Sequence, residues 1–274
     1  MPTSSPFLFI QKQKGVHYEK SGRETVADRM TNVLFTLPAL LLYCVFFIYP
    51  VLLGINYSFT DWNGIAKEYT YIGFQNYWNL FKNPFFWQSM RITLMYTLIL
   101  VVGVMFLSLV LSLSLNSMKH FQTFTKSVFF VPAMIGGVTI ALIFDQIYYR
   151  VIPVIGHALG ISALSQSPLA TTKTALIAIV AVNIWQATAM PTLIFMAGLQ
   201  SVPGDLYESA MLDGASAWQR FRYITFPYLI PTFTINMVLT VKAGIVTFDY
   251  IWALTQGGPS RSTNVIGIMI YNDA

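Results

Sequence analysis

The stretch YESAMLDGASAWQRFRYITFP, Tyr207 to Pro227, lies between two long apolar runs and carries Glu208, Asp213, Arg220 and Arg222, with Asp205 just ahead of it. Two helix starts are written into this neighbourhood. Asp205 can cap a helix, and Glu208 three residues later would complete a capping box. That helix is predicted to run through Leu206 to Asp213 and to stop at Gly214, because glycine tolerates the left-handed backbone of a helix end. Ser216 can cap a second helix, with Gln219 at the matching third position. Trp218, Phe221 and Ile224 share one face of it, and it should continue past Pro227 into the next apolar run. A plain connector between two spans could be a handful of residues. Paired caps and a short amphipathic helix, with Leu206, Tyr207, Ala210 and Met211 available for burial, suit docking into a groove on a soluble partner instead.

Outward from this segment the chain is apolar. Of 274 residues, 55% are hydrophobic and 10% charged, and the mean hydropathy is +0.59. A soluble domain carries roughly a quarter charged residues, so the deficit points to a bilayer. Five runs are predicted to span it, near 32–55, 92–116, 127–148, 175–199 and 226–248, each about the 20 residues that a span needs. Pro38, Pro50, Pro191 and Pro231 fall in or near these runs, where a packed membrane bundle tolerates the kink. Residues 149–174 read as a loop with a short helical piece. The aromatic stretch 71–90 reads as a short helix lying on the outer membrane surface.

The net charge of +5 does not indicate nucleic acid, since the bases are spread over connectors rather than gathered on one face. They report topology instead. With the N-terminus cytoplasmic, the inside segments hold nine bases: Lys12, Lys14, Lys20, Arg23, Arg29, Lys119, Lys126, Arg220 and Arg222. The outside segments hold six: Lys67, Lys82, Arg91, Arg150, Lys173 and Arg261. This bias puts residues 203–227 in the cytoplasm. It divides the chain into a cytoplasmic tail, 1–31, and a membrane domain, 32–274. Cys44 stands alone in an apolar run, and His17, His120 and His157 are scattered, so neither a disulfide, a metal site nor catalysis is expected.

Intramembrane polar residues mark a candidate path. Lys242 lies within the fifth run and Asp249 near its end, seven residues apart and so on nearly one helical face. A buried charge in a bilayer costs about 2.5–3.5 kcal/mol on insertion scales, so it usually faces water or protein. Lys242 is expected either to wall a polar path or to be satisfied by a partner subunit. Asp145 is expected to reach the interface. On the fourth run, Asn183, Trp185 and Gln186 offer the hydrogen-bonding groups and flat apolar surface that a sugar needs. Trp185 reads equally as a packing aromatic.

The opening segment resembles the EAA-type signature of permease subunits of bacterial binding-protein-dependent ABC importers. The matching positions are Glu208, Ala210, Asp213, Gly214, Ala215, Phe221, Ile224 and Pro227, with Ser209 where alanine is usual. FDYIWALTQGGPSRSTNVIGIMIYNDA, 248–274, resembles carbohydrate permeases of the maltose-transporter type, and TQGGP (Thr255–Pro259) marks the first permease of such pairs. Residues 71–97 and 183–203 fit the same family, and the resemblance covers most of the chain from residue 34.

The resemblance implies an all-α membrane bundle that passes a di- or oligosaccharide from an external binding protein to the cytoplasm. It implies a second permease subunit and a cytosolic ATPase dimer as partners, with ATP and Mg bound by the ATPase. It assigns Glu208, Ala210, Asp213, Gly214 and Ala215 to ATPase docking, with Asp213 fixing the loop. It places Thr240, Gly244 and Thr247 on a cavity-lining face. The chain has no GxxxxGK[ST] motif and no clustered catalytic groups, so it is expected to be a transport subunit and not an enzyme. Permeases of this type continue through a further helix where this chain stops at Ala274, so the last span is expected to be missing. An ion-coupled transporter or channel is the alternative, but inverted repeats and multiple intramembrane carboxylates are not evident.

Overall fold

The computed structural model describes residues 26–117 and 130–273. The bases of the tail up to Arg23, together with Lys119, Lys126 and the start of the predicted third span, fall outside the described residues. The chain divides into two compact units, 1–80 and 81–274.

The first unit holds helix α1, Val26–Tyr43, a π turn over Cys44–Ile48, and α2, Tyr49–Tyr57. Together they carry one apolar span, Met30–Tyr57, slightly longer than predicted. A tight loop follows. Thr60 and Tyr71 form an antiparallel bridge, and the Ile72 amide donates to the Phe59 carbonyl at 2.9 Å. Asp61 accepts from both the amide and the hydroxyl of Thr70, at 2.6 and 2.7 Å. These donors favour the charged carboxylate and hold the Asp61 carboxyl below its ordinary value. Asn76 on α3, Gln75–Lys82, closes the loop by donating to the carbonyls of Ser58 and Thr60. A short helix is therefore present among the aromatics, but it covers only 75–82, and residues 84–90 belong to the long helix that follows.

The second unit is built on α4, Pro84–Ser117, a continuous 34-residue helix. At 1.5 Å per residue it is about 51 Å long, well over the roughly 30 Å of a hydrocarbon core. Its buried face carries Ser89, Thr93, Thr97, Ser108 and Ser112 among Tyr96, Leu100 and Val104. The hydroxyls of Thr93, Thr97 and Ser108 donate to carbonyls one turn back, at 2.6–2.8 Å. These three line a helix interface without an unpaired donor, whereas the buried Ser89 hydroxyl has no partner among the described residues. Thr93 also accepts the amide of Ile266, 3.0 Å away.

Helical residues 130–134 precede a break at 135–136, after which α5 runs over Gly137–Gln146. A π turn leads directly into α6, Ile152–Leu159, which ends on Gly160 in the left-handed conformation. The third span therefore continues eleven residues beyond its predicted end at 148, as Gly137–Leu159. Pro153 and Gly156 did not stop it, and Gly160 ends it. Pro153 occupies the first turn of α6, where its missing donor costs nothing.

The fourth span is a bent pair: α7, Ala175–Ala187, and α8, Ala189–Gln200, with 44° between them. Pro191 lies one turn past the bend, where a missing amide and ring crowding kink a helix. After α9, Gly204–Leu212, the chain runs as α10, Ala217–Arg220, a π turn over Phe221–Thr225, and α11, Phe226–Ile245. The last three of these form one continuous span, Ala217–Ile245.

The fifth span therefore starts nine residues before its predicted start at 226 and ends before Val246. Asp249 opens a separate short helix, α12, Asp249–Leu254. Lys242 and Asp249 are thus not on one helical face, because the helix that would align them is broken. Helix α13, Ile266–Asp273, completes the described chain.

Two clusters hold this unit together. The larger packs Tyr96, Leu100, Ile140, Ile179, Ile251 and Ile268 between α4, α5, α7, α12 and α13. The smaller joins Met105, Phe195, Leu199 and Leu229 between α4, α8 and α11. Glycine sets a close crossing of α4 and α11. A Cβ at Gly244 would lie 2.8 Å from the Thr97 side chain and 3.0 Å from its Cα. Gly244→Ala should lower stability by about 1–3 kcal/mol through overpacking. Gly54→Ala, with nothing within 4 Å, should shift it by less than about 0.5 kcal/mol. Thermal unfolding of the detergent-solubilised protein checks both.

Candidate functional site

The segment that opened the sequence folds as a rigid helix–turn–helix. Helix α9 begins after Pro203, whose side chain cannot cap, and Asp205 stands in its first turn instead of at its cap. The first predicted capping box is therefore absent. Proline at the cap position already sets the extended backbone that starts a helix, and Asp205 favours the helix N-terminus by charge alone. The second predicted box is present in full. The Ser216 hydroxyl accepts from the Gln219 amide, and the Gln219 side chain accepts from the Ser216 amide at 2.7 Å.

Between the helices, Gly214 has φ +75°, the left-handed region. The Ala215 amide donates to the Ala210 carbonyl at 2.9 Å and the Gly214 amide to the Met211 carbonyl at 3.1 Å. This is the Schellman pattern, which satisfies two orphan carbonyls at the end of α9. Arg220 reaches back to donate to the Ala215 carbonyl at 2.7 Å. Tyr207 hydrogen-bonds Thr225, hydroxyl to hydroxyl, at 2.8 Å. The turn is thus tied at four points. Asp213 was expected to fix it, but its side chain is exposed and makes no hydrogen bond among the described residues. Glu208 is likewise exposed, while Ala210 and Ala215 are half-buried.

The largest apolar groups of the element point outward. Leu212 is 90% exposed, Trp218 69% and Met211 53%. Sequence reasoning placed Met211 in an apolar set but missed Leu212. It lies within the predicted helix, and only the folded turn shows it standing clear at the helix end.

The expected path residues separate into two groups. Asn183 and Gln186 are buried inside the bundle. Asn183 donates to the Tyr96 hydroxyl at 2.6 Å, and Thr247 is buried. Gln186 donates to the carbonyls of Pro132, at 3.1 Å, and Ile135, at 2.6 Å, and accepts from Tyr250. Thr240 donates to the Asn236 carbonyl at 2.8 Å, and Gly244 abuts Thr97. All five, Thr247 included, are enclosed between helices of this chain, so a sugar would not touch them unless those helices part.

Trp185 and Lys242 are exposed. Trp185 packs on Phe144, ring centroids 5.6 Å apart, and edges an apolar cavity of about 360 Å³ with Leu107, Leu111 and Thr192. Lys242 lies on the side of α11 opposite Asn236, Thr240 and Gly244. Tyr96 and Tyr250, the partners of the two amides, were not singled out from the sequence. Aromatics are common in every span, and nothing local distinguishes these two. Among the described residues no cluster of histidine, cysteine or carboxylate could hold a metal.

No family model matches the chain. Individual relatives do. It is 40% identical over 249 residues to the multiple sugar-binding transport system permease protein MsmF of Streptococcus mutans, covering 91% of this chain and 86% of the relative. It is 32% identical over 248 residues to the trehalose/maltose transport system permease protein MalF of Thermococcus litoralis, covering 87% and 81%. Its fold matches a chain of a bacterial ABC transporter involved in import of the acidic polysaccharide alginate. The TM-score there is 0.74, at 23% identity, over 90% of this chain and 84% of that one.

The chain belongs to the family of ABC sugar transporter permeases. It is a membrane-spanning transport subunit with an all-α permease bundle, and not an enzyme.

The turn's design has a measurable consequence. A Cβ added at Gly214 would meet nothing within 4 Å, so Gly214→Ala should cost only the left-handed backbone, about 1–2 kcal/mol. Ser216→Ala should cost about 1 kcal/mol through the lost cap. Both should raise amide hydrogen exchange over 204–220 and leave α4 unchanged.

Proposed function

We propose that this chain is one of two permease subunits of an ATP-driven importer, and that residues 205–220 seat a cytosolic ATPase. The observation that carries this reading is the exposed apolar triad of Leu212, Met211 and Trp218 on a turn held by four hydrogen-bonded ties. A rigid apolar knob is the kind of group that forms a binding hot spot in a partner's groove. Glu208 and Asp213 frame it as a polar rim.

The partners of this reading are a second permease, a dimer of ATPase subunits that bind ATP and Mg, and an external sugar-binding protein. One solved relative of this fold is in complex with a periplasmic protein carrying an alginate pentasaccharide. A sugar-binding partner is therefore consistent with the family. The sugar is read as a di- or oligosaccharide from the names of the relatives. The Lys and Arg bias supports a cytoplasmic N-terminus, and the membrane is read as a bacterial inner membrane.

The path wall is assigned to the outward face of α11, with Lys242 directed into water or toward the second permease. A lone lysine on a lipid-facing surface would be costly. Trp185 is its apolar counterpart on α7. Enclosed Asn183, Gln186, Thr240, Gly244 and Thr247 would join the path only in a conformation that opens the bundle.

The test is assembly. Leu212→Asp should weaken retention of the ATPase on the purified permease pair by at least about thirtyfold, the loss of one hot spot of 2 kcal/mol or more, while membrane insertion stays normal. Full ATPase retention by that variant would remove the docking role.

A further inference from the structure

Asn183 and Gln186 stand three residues apart on α7 and so share one face. Asn183 ties α7 to α4 by donating to the Tyr96 hydroxyl, and Gln186 grips places where membrane helices are broken. Gln186 takes the carbonyls of Pro132 and Ile135, at the 135–136 break, and also the Tyr250 hydroxyl just past the 246–248 break. Both amides are nine-tenths buried. In hydrocarbon, carbonyls released by a helix break must find a protein donor, since water is absent.

The rod that ends at this break begins at the docking turn. Residues 217–245 are one continuous helix, about 43 Å at 1.5 Å per residue. Beyond the break, α12 buries Ile251 and Leu254 in the larger cluster. The Tyr250 ring also lies against Gly137, where a Cβ would meet it at 3.3 Å. The outer segment is thus fastened to α4, α5 and α7, while the rod runs into it through residues 246–248 and packs on α4 and α8.

We propose that Gln186 is a positioning residue for transport. It clamps the segment beyond residue 248 to the outer bundle through Tyr250, so that the 217–245 rod hinges at Val246–Phe248. The inference rests on reading 205–220 as the docking element, since that is where force would enter the rod.

The test uses the complete complex of both permeases and the ATPase in nanodiscs, in a Cys44→Ser background. Spin labels at Leu239, on the rod, and Ile270, on α13, report across the hinge by pulsed electron resonance. A second pair at Tyr223 and Leu239 reports within the rod. All three positions are more than half exposed.

Tyr250→Phe and Gln186→Leu each remove part of the clamp. Without nucleotide, they should raise the minor population of the Leu239–Ile270 distance by about three- to tenfold, the range expected for one to two membrane hydrogen bonds. The Tyr223–Leu239 distribution should stay unchanged. Superimposable Leu239–Ile270 distributions in wild type and both variants would overturn the clamp, whatever happens to the unfolding temperature. Equal broadening of both pairs would overturn it too, as general loosening. Should Gln186→Leu not assemble, Tyr250→Phe keeps the ring and decides alone. An ATPase that dissociates from the wild-type permeases would sink the docking reading instead, because the clamp comparison needs no nucleotide.

Discussion

The constraint behind this structure is that a backbone carbonyl in hydrocarbon must have a donor, and the protein itself must supply it. Unbroken helices such as α4 meet it internally. The chain departs from unbroken helix at 135–136, at Thr188 and at 246–248. Gln186 donates to the carbonyls of Pro132 and Ile135 at the first. Asn236 donates to the Pro191 carbonyl, one turn past the second, at 3.1 Å. Both amides are buried, and each ties two spans together. The polar residues of these spans are therefore its cross-links.

The other cross-links come from removing side chains. Gly103 lets Ile184 approach to where a Cβ would sit 2.3 Å from its Cδ1, and Gly198 does the same for Thr232 and Leu229 at 2.8–2.9 Å. Apolar burial gives little preference between helix and lipid, so close packing and hydrogen bonds must hold the bundle. The polar and glycine contacts concentrate on α4, α7, α8 and α11. The turn at Gly214 is tied to the same framework through Tyr207 and Thr225, the latter on the helix that becomes α11, and stands at one end of a 29-residue helix.

Much of this was legible in the chain. The apolar runs gave the spans, because length and hydropathy are local properties. The Ser216 box and the Gly214 turn were legible because capping is decided within four residues. The Asp205 box failed for a local reason as well: Pro203 claimed the cap position first. The end of the third span was misjudged because glycine and proline there are accommodated within a short helix and at its ends, where they do no harm. The break at 246–248 was invisible, since Thr247 and Phe248 suit a membrane helix and only the packing of Phe248 against the larger cluster shows otherwise.

The path residues mark the boundary between the two kinds of knowledge. That Asn183, Gln186, Thr240 and Lys242 are polar residues in membrane segments follows from the sequence alone, as does the family signature around Gly214. Which of them face outward does not, because a helix presents all its faces to a reader of sequence and only packing selects one. Tertiary structure turned Asn183 inward to the Tyr96 hydroxyl and Gln186 inward to broken backbone, left Lys242 outside, and stood Leu212 clear on the turn at Gly214. The physical reason for the inward pair is distance along the chain: the polar partners lie up to 87 residues away, and only the folded bundle brings them within hydrogen-bond reach.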